Sequence, residues 1–170
     1  MFKFLAIFSF IFSMPINSAK AEVEKYVAIS LASYHVNAST EYNERNPGVA
    51  FGFSNDIGSS ERLRYGGEVG FYLNSHSELT RYGLVDADYE IASIGESARL
   101  RLGVFIGLFE YPNVIEFAQK NGFPTMGDYI VVPGLMGTIR FNNRYDIRIR
   151  VAPAAKHADL IVGLQIAARF

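Results

Sequence analysis

The sequence predicts an all-β protein, an eight-stranded antiparallel transmembrane β-barrel. Apolar and polar residues alternate in segment after segment, and most segments have the roughly 9–11 residues with which a tilted strand crosses a bilayer. The connections between segments differ in length, from a few residues to more than a dozen. Short turns at one end and longer loops at the other are typical of outer-membrane barrels.

The alternation is clearest in residues 63–73, 98–108 and 145–151, where one face is apolar and the other mixes charged residues, glycines and aromatic residues. A period of two residues indicates a strand with two different faces. The same pattern predicts eight strands in all, at residues 25–36, 48–55, 61–74, 79–90, 96–110, 128–141, 144–152 and 159–170.

The connections near 56–60, 91–95 and 142–143 are short, and those near 37–47 and 111–127 are long. In the second long loop, helical spacing of apolar residues predicts a helical turn around residues 114–120. The last predicted strand is amphipathic and ends on Phe170. Because such a final aromatic is typical of outer-membrane barrels, this strand favours the same assignment.

Residues 1–21 have the features of a signal peptide, with Lys3, an apolar run over residues 4–14 and small residues at 18–21. A membrane anchor is the alternative, but the run is shorter than the roughly 20 residues of a spanning helix. We therefore expect residues 22–170 to form one barrel in the outer membrane of a Gram-negative bacterium.

The amino-acid composition indicates which bonds and binding partners the protein can have. The chain contains no cysteine, so we expect a fold without disulfides. Removing the leader leaves 14 basic and 17 acidic residues, which argues against nucleic-acid binding. We expect outer-membrane lipids as partners, a monomer, and no cofactor.

A soluble lipocalin-like barrel is the main alternative fold, since it also has eight strands and an export signal. A soluble barrel places its charged residues outside, on the solvated surface. In this sequence the charged faces also carry many glycines and aromatic residues, which suits a narrow lumen better.

Topology orders the inward-facing residues by height, because both ends of an even-stranded barrel lie on the periplasmic side. Near the bottom we expect buried charges that must pair, and above them a partly apolar cavity with space left by glycines; a completely filled lumen stays open as the alternative. The expected charged residues are Arg64, Glu68, Arg99, Arg101 and Arg140; the upper residues are Tyr72, Phe105, Phe109, Met136, Val132 and Ile130; and the glycines are Gly70, Gly107, Gly134 and Gly163. Arg148 and Arg150 do not fit this division.

Polar residues distant in sequence meet at the outer rim of the predicted barrel. His35 lies at the end of the first strand and is spaced by two residues from the alternate apolar residues before it, so it would share their face. Asn74-Ser75 lie at the end of the third strand. An imidazole is a candidate general base, and Ser75 and Asn74 could donate hydrogen bonds beside it. The alternatives are a polar rim histidine and a tight turn. The histidines His35, His76 and His157 show no metal-ligand spacing, so we predict no metal site.

Several motifs resemble the lipid A palmitoyltransferase family, PagP. They are Tyr34-His35, the stretch Tyr42-Asn43-Glu44-Arg45 with Pro47-Gly48, Phe51-Gly52-Phe53, Phe71-Tyr72-Leu73-Asn74-Ser75, Asp128-Tyr129-Ile130 with Pro133, and the final strand. The resemblance implies transfer of a phospholipid acyl chain to a lipid A hydroxyl. It implies catalytic roles for His35, Asn74 and Ser75.

The acyl chain would then lie against Tyr72, Phe105, Phe109 and Met136 in the upper lumen. The chain departs from the family in carrying Asn74 at the position of an acid, and it contains no tryptophan. Two other functions stay open: a non-catalytic structural or adhesion barrel, and a lipid hydrolase that uses the same rim with water as acceptor.

Overall fold

The computed structural model describes residues 23–57, 60–154 and 158–170. The predicted signal peptide and His157 lie outside these ranges. The strands are β1 (Glu24–Val36), β2 (Arg45–Ile57), β3 (Ser60–Leu73), β4 (Leu79–Ile94), β5 (Ala98–Glu110), β6 (Thr125–Met126), β7 (Tyr129–Phe141), β8 (Tyr145–Pro153) and β9 (Leu160–Arg169). A 3₁₀ turn (Pro112–Val114) and helix α1 (Ile115–Lys120) follow β5.

Eight of these strands form a closed antiparallel barrel. Neighbours along the chain pair from β1 to β5, β1 pairs with β9, and β7 pairs with both β8 and β5. The β5–β7 pairing closes the sheet, which leaves no strand edge unpaired in the barrel wall. The predicted fold class is confirmed, and each predicted barrel strand is found within four residues of its expected ends.

The connection between β5 and β7 carries the remaining ordered structure. Its helix α1 covers most of the predicted segment 114–120, and the two-residue strand β6 folds back on the start of β7. None of the helices in the described part of the chain is long and apolar enough to cross a membrane.

The outside of the barrel is apolar. The outward positions of every barrel strand expose large aliphatic or aromatic side chains, whereas the inward positions are buried or partly buried. This is the reverse of a soluble barrel, and it makes the lipocalin-like alternative wrong, because a belt of this kind requires a lipid environment. Representative members of the belt are Ile29, Phe51, Val69, Phe71, Val85, Leu102, Val104, Ile106, Leu135, Ile147 and Ile149.

A bulge in β1 decides which way His35 points. The register of β1 shifts between Ser30 and Ala32 against both neighbouring strands. Below the bulge, Ile29 faces outward with 45% exposure; above it, His35 is only 6% exposed and faces the lumen. The expectation that His35 continues the column of Ile29 and Leu31 is therefore wrong, because an extra residue reverses the parity of the strand.

Candidate functional site: the luminal plug and the outer mouth

The carboxylate of Glu68 on β3 is the centre of a buried polar cluster, here called the plug. Glu68 is 2% exposed. It forms a bidentate ion pair with Arg150, at 2.9 and 3.0 Å, and accepts a hydrogen bond of 3.1 Å from Arg148. Further hydrogen bonds come from the hydroxyls of Tyr26 and Tyr82 and from the amide of Gln165.

The plug spans the full width of the lumen. Going round the barrel from β3, the strands are β2, β1, β9 and then β8, so Glu68 and its two arginines stand on opposite walls. Ion pairs across the diameter, with tyrosines from β1 and β4 completing the ring, leave the lumen closed at this height. A buried carboxylate with this many donors is held in its charged form.

Two further clusters of ion pairs continue the plug towards the end of the barrel where β1 begins. Asp146 accepts hydrogen bonds from Arg140, Arg148 and Arg169 at 2.7–3.0 Å. Glu24 accepts hydrogen bonds from Arg64 and Arg169, at 2.8 and 2.9 Å.

Another cluster of ion pairs centres on Arg101, which is 0% exposed. It pairs with Asp88 at 2.5 Å and with Glu90 at 3.2 Å. Arg99 lies 3.5 Å from the same Glu90 carboxylate.

These contacts confirm a charged lower lumen but correct the predicted partners. We expected Arg64, Glu68, Arg99 and Arg101 to form one network. In the structure Glu68 pairs instead with Arg148 and Arg150, the two residues that did not fit the predicted division. The reason is that β3 and β8 face each other across the closed barrel. The prediction grouped residues by their height along the barrel axis, whereas the order of the strands around the barrel decides which of them meet.

Above the plug lies a cavity of about 190 Å³ with mainly aromatic and aliphatic walls. Three of the four residues predicted to hold an acyl chain line it, namely Tyr72, Phe105 and Phe109. Tyr82 stacks on Phe109, with ring centroids 5.2 Å apart. The fourth, Met136, is absent from the described cavity lining and belongs to the packed core below it. The lumen thus combines a plug at its middle with this cavity above it and a polar pocket of about 450 Å³ at the end where β1 begins.

The glycines contribute less space than predicted. A Cβ at Gly134 would lie 2.4 Å from the Phe105 ring, and one at Gly107 would lie 2.7 Å from Phe109. These glycines therefore make room for aromatic rings that fill the lumen. Of the four expected glycines, Gly163 lines the cavity and has its nearest neighbouring atom 4.0 Å from an added Cβ.

His35 lies at the outer mouth of this cavity. Its ring stacks on Tyr42, with centroids 4.0 Å apart, and Tyr42 meets His76 edge-on at 5.6 Å. All three residues line the cavity. Nδ1 of His35 is buried and has no hydrogen-bond partner among the described residues.

Asn74 and Ser75 form hydrogen bonds that order the neighbouring β3–β4 loop. The side-chain oxygen of Asn74 accepts hydrogen bonds from the backbone N–H groups of His76 and Glu78, at 2.8 and 3.0 Å. Its amide donates to the Thr80 hydroxyl at 3.1 Å. The Ser75 carbonyl accepts a hydrogen bond from the β1–β2 loop. Neither residue is in the described cavity lining, so the structure brings His35 together with Tyr42 and His76 and not with this pair.

The polar stretch between β1 and β2 orders the rim, as its turn-forming composition indicates. Asn46 is 4% exposed; it accepts a 2.6 Å hydrogen bond from Ser33 and donates to the Leu73 carbonyl at 2.9 Å. Asn43 donates to Ser77 at 3.3 Å and accepts from the backbone of Arg45. Two asparagines, Asn43 and Asn46, carry this ordering. Asparagine is a common loop-ordering residue, so this signal was available.

Comparison with known proteins is informative at the level of fold. No known protein-family model matches the chain, and no curated protein sequence matches it. Similar solved structures include the N-terminal β-barrel domain of Pseudomonas aeruginosa OprF, with a TM-score of 0.52 at 10% identity over 88% of this chain and 98% of that one.

Two further similar structures are the Yersinia pestis outer membrane protein Ail and Neisserial surface protein A. Ail has a TM-score of 0.46 at 12% identity, covering 88% of this chain and 100% of its own. The Neisserial protein has a TM-score of 0.43 at 11% identity, covering 87% and 96%. Membership of the lipid A palmitoyltransferase family is not shown by these similarities. The closed antiparallel sheet and its apolar belt establish an eight-stranded barrel of the outer-membrane type.

Proposed function

We propose that the protein is a non-enzymatic structural barrel of the outer membrane in a Gram-negative bacterium, and that its lumen conducts no solute. The plug carries this proposal, because Glu68 and the arginines of β8 join opposite walls at the middle of the barrel. The outer rim supports it as well, since its loops are tied together through Asn43, Asn46 and Asn74. A barrel built in this way spans the membrane without opening a channel through it.

The test combines conductance with envelope integrity. Purified protein in planar bilayers should show no steady ion conductance. A strain lacking the protein should become more sensitive to detergent, and both the wild type and His35→Ala should restore resistance, since a structural role does not need the imidazole. Steady conductance through the wild type, or failure of His35→Ala to restore resistance while it folds normally, contradicts the proposal.

A second candidate is the acyltransferase activity that the sequence resemblance implies. The observation that favours it is Nδ1 of His35, which has no partner among the described residues and lies at the mouth of an apolar cavity. In this candidate, His35 takes the proton of a lipid A hydroxyl as its oxygen attacks a phospholipid ester. The proton then passes to the departing lysophospholipid oxygen, while the acyl chain occupies the cavity.

Mass spectrometry of lipid A and phospholipids, with and without expression, separates the two candidates. If the protein is an acyltransferase, its expression should produce acylated lipid A together with lysophospholipid. The His35→Ala variant should produce neither. Asn74→Asp should keep or raise the activity, since an acid at this position is what the family resemblance implies. Free fatty acid without acylated lipid A indicates the hydrolase alternative. If expression of the wild-type protein changes no lipid, the structural barrel is the candidate that remains.

A further inference from the structure

The cavity above the plug is smaller than the pockets in which proteins hold drug-sized ligands. Its volume is about 190 Å³, whereas such pockets measure roughly 300–1,000 Å³. An apolar cavity of about 150 Å³ in a protein interior stays free of water and holds one benzene molecule. The space above the plug therefore fits a molecule slightly larger than benzene.

Aromatic rings form much of the wall of this cavity. Tyr82 meets the ring of Tyr72 edge-on at 5.7 Å between centroids and stacks on Phe109 at 5.2 Å. Phe105 and Phe123 line the same space. A bound aromatic molecule would contact the faces and edges of these rings, and aromatic pairs are stabilised beyond what burial of their area contributes.

The hydroxyl groups of the wall tyrosines are already engaged within the protein. Tyr72 and Tyr111 share a hydrogen bond between their hydroxyls. The hydroxyl of Tyr82 donates to Glu68 at 2.5 Å. These tyrosines therefore present ring surface to a ligand, while their polar ends are directed to other partners.

The floor of the cavity carries a charge that is already compensated. Both η nitrogens of Arg150 donate to the carboxylate of Glu68. Nε of Arg150 and Oε1 of Gln165 have no partner among the described residues, but these two atoms are buried beneath the cavity surface. His35 and His76 lie at the outer mouth, above the aromatic walls. A ligand between the floor and the mouth is thus surrounded mainly by apolar surface.

We propose that the upper cavity is a binding site for a neutral monocyclic aromatic molecule of about the size of toluene. Its ring would pack among Tyr72, Tyr82 and Phe109. A charged or strongly hydrogen-bonding ligand would lose its hydration in this space without gaining partners. The proposal goes beyond the structural role given above, and its ligand competes with the acyl chain of the acyltransferase candidate for the same space.

Methyl NMR of the barrel in detergent micelles tests the proposal. Toluene is titrated into protein with labelled isoleucine and valine methyl groups. The signals of Ile130 and Val132, which line the cavity, should shift until they saturate and should show nuclear Overhauser contacts to the ring protons of toluene. The signals of Val104 and Ile147, on the lipid-facing belt, should change only in proportion to the toluene dissolved in the micelles.

Methylcyclohexane is the matched control ligand, because it has nearly the size of toluene but no aromatic ring. At equal mole fraction in the micelles it should bind about threefold to tenfold more weakly, since it lacks the interaction between aromatic rings. The same titration of the wild-type protein measures this ratio.

Two glycine variants separate the cavity from the outer surface. Gly163→Leu places a side chain in the cavity, where the nearest atom lies 4.0 Å from an added Cβ, and should abolish the saturable toluene shifts. Gly83→Leu adds the same side chain between the buried Tyr82 and Leu84, on the outward face of β4, and should leave toluene binding unchanged. Heat-modifiable gel mobility shows whether each variant folds.

Three results on the wild-type protein overturn the proposal, so the test does not depend on the folding of a variant. The first is a shift of Ile130 and Val132 that follows the outer methyl groups without saturating. The second is contact of detergent chains with these methyl groups that toluene does not displace. The third is methylcyclohexane binding as tightly as toluene. Saturable toluene binding by folded Gly163→Leu also overturns it. The structural role would survive such results, because it rests on the plug below the cavity.

Discussion

Replacing Glu68 by alanine should destabilise the barrel more than any change at its rim. The substitution removes both ion-pair contacts of Arg150 and one of those of Arg148. Arg148 keeps its 2.8 Å contact with Asp146, but Arg150 has no other ion-pair partner among the described residues. One largely buried guanidinium therefore loses its ion-pair partner, which costs about 3–5 kcal/mol.

The measurement is urea unfolding of the barrel in lipid vesicles. Tyrosine fluorescence is a suitable signal because the chain contains 10 tyrosines and no tryptophan. Glu44→Ala, in the exposed β1–β2 loop, is the matched control and should change stability by less than about 0.5 kcal/mol. Glu68→Gln keeps an acceptor oxygen but removes the charge. Its decrease in the free energy of unfolding should therefore lie between those of the other two variants.

If Glu68→Ala lowers the free energy of unfolding as little as Glu44→Ala does, the reasoning is refuted. That result would mean that water reaches the arginines in the lumen, and the closed lumen on which the proposed function depends would not exist. Conductance measured on the same Glu68→Ala preparation adds a second readout, because an open plug should admit ions.

Three further predictions concern the rim, the lumen and the loops. Asn74→Ala removes two hydrogen-bond acceptor contacts and one donor, so the β3–β4 loop should lose about 1–3 kcal/mol of local stability, seen as faster hydrogen exchange of its amides. Gly134→Ala should cost about 1–3 kcal/mol in urea unfolding because the new methyl group meets an aromatic ring, whereas Gly163→Ala should be nearly neutral. Protease added to intact cells should cleave first within residues 111–128; cleavage confined to the 95–97 turn would invert the predicted orientation.

The strands themselves were predictable from sequence. A period of two is a local property, since each residue's position relative to its neighbours decides which face of the strand it joins. The outward parity of β5, for example, is apolar from Leu102 to Leu108, and the structure exposes most of those side chains to lipid. Even the helical turn in the long loop followed from local spacing and its flanking proline.

The candidate site was less predictable, because loop residues converge through contacts that local patterns do not encode. The strand pattern predicts His35 at the rim, but no local pattern predicts that its ring stacks on Tyr42. Asn74 was identified as a catalytic candidate, yet its side-chain amide is occupied by the turn it closes. The tight-turn interpretation of this asparagine describes its contacts, while its catalytic role stays a prediction.

The sequence by itself determined the number of strands, their faces and the presence of buried charges, since these depend on composition and period. The tertiary structure decided which charges pair. Glu68 meets Arg148 and Arg150 from 80 and 82 residues away because β5 closes on β7 and places β3 opposite β8. It also decided where His35 points, because one extra residue at the β1 bulge reverses the strand's parity, and that insertion shows only when two neighbouring strands fix the register.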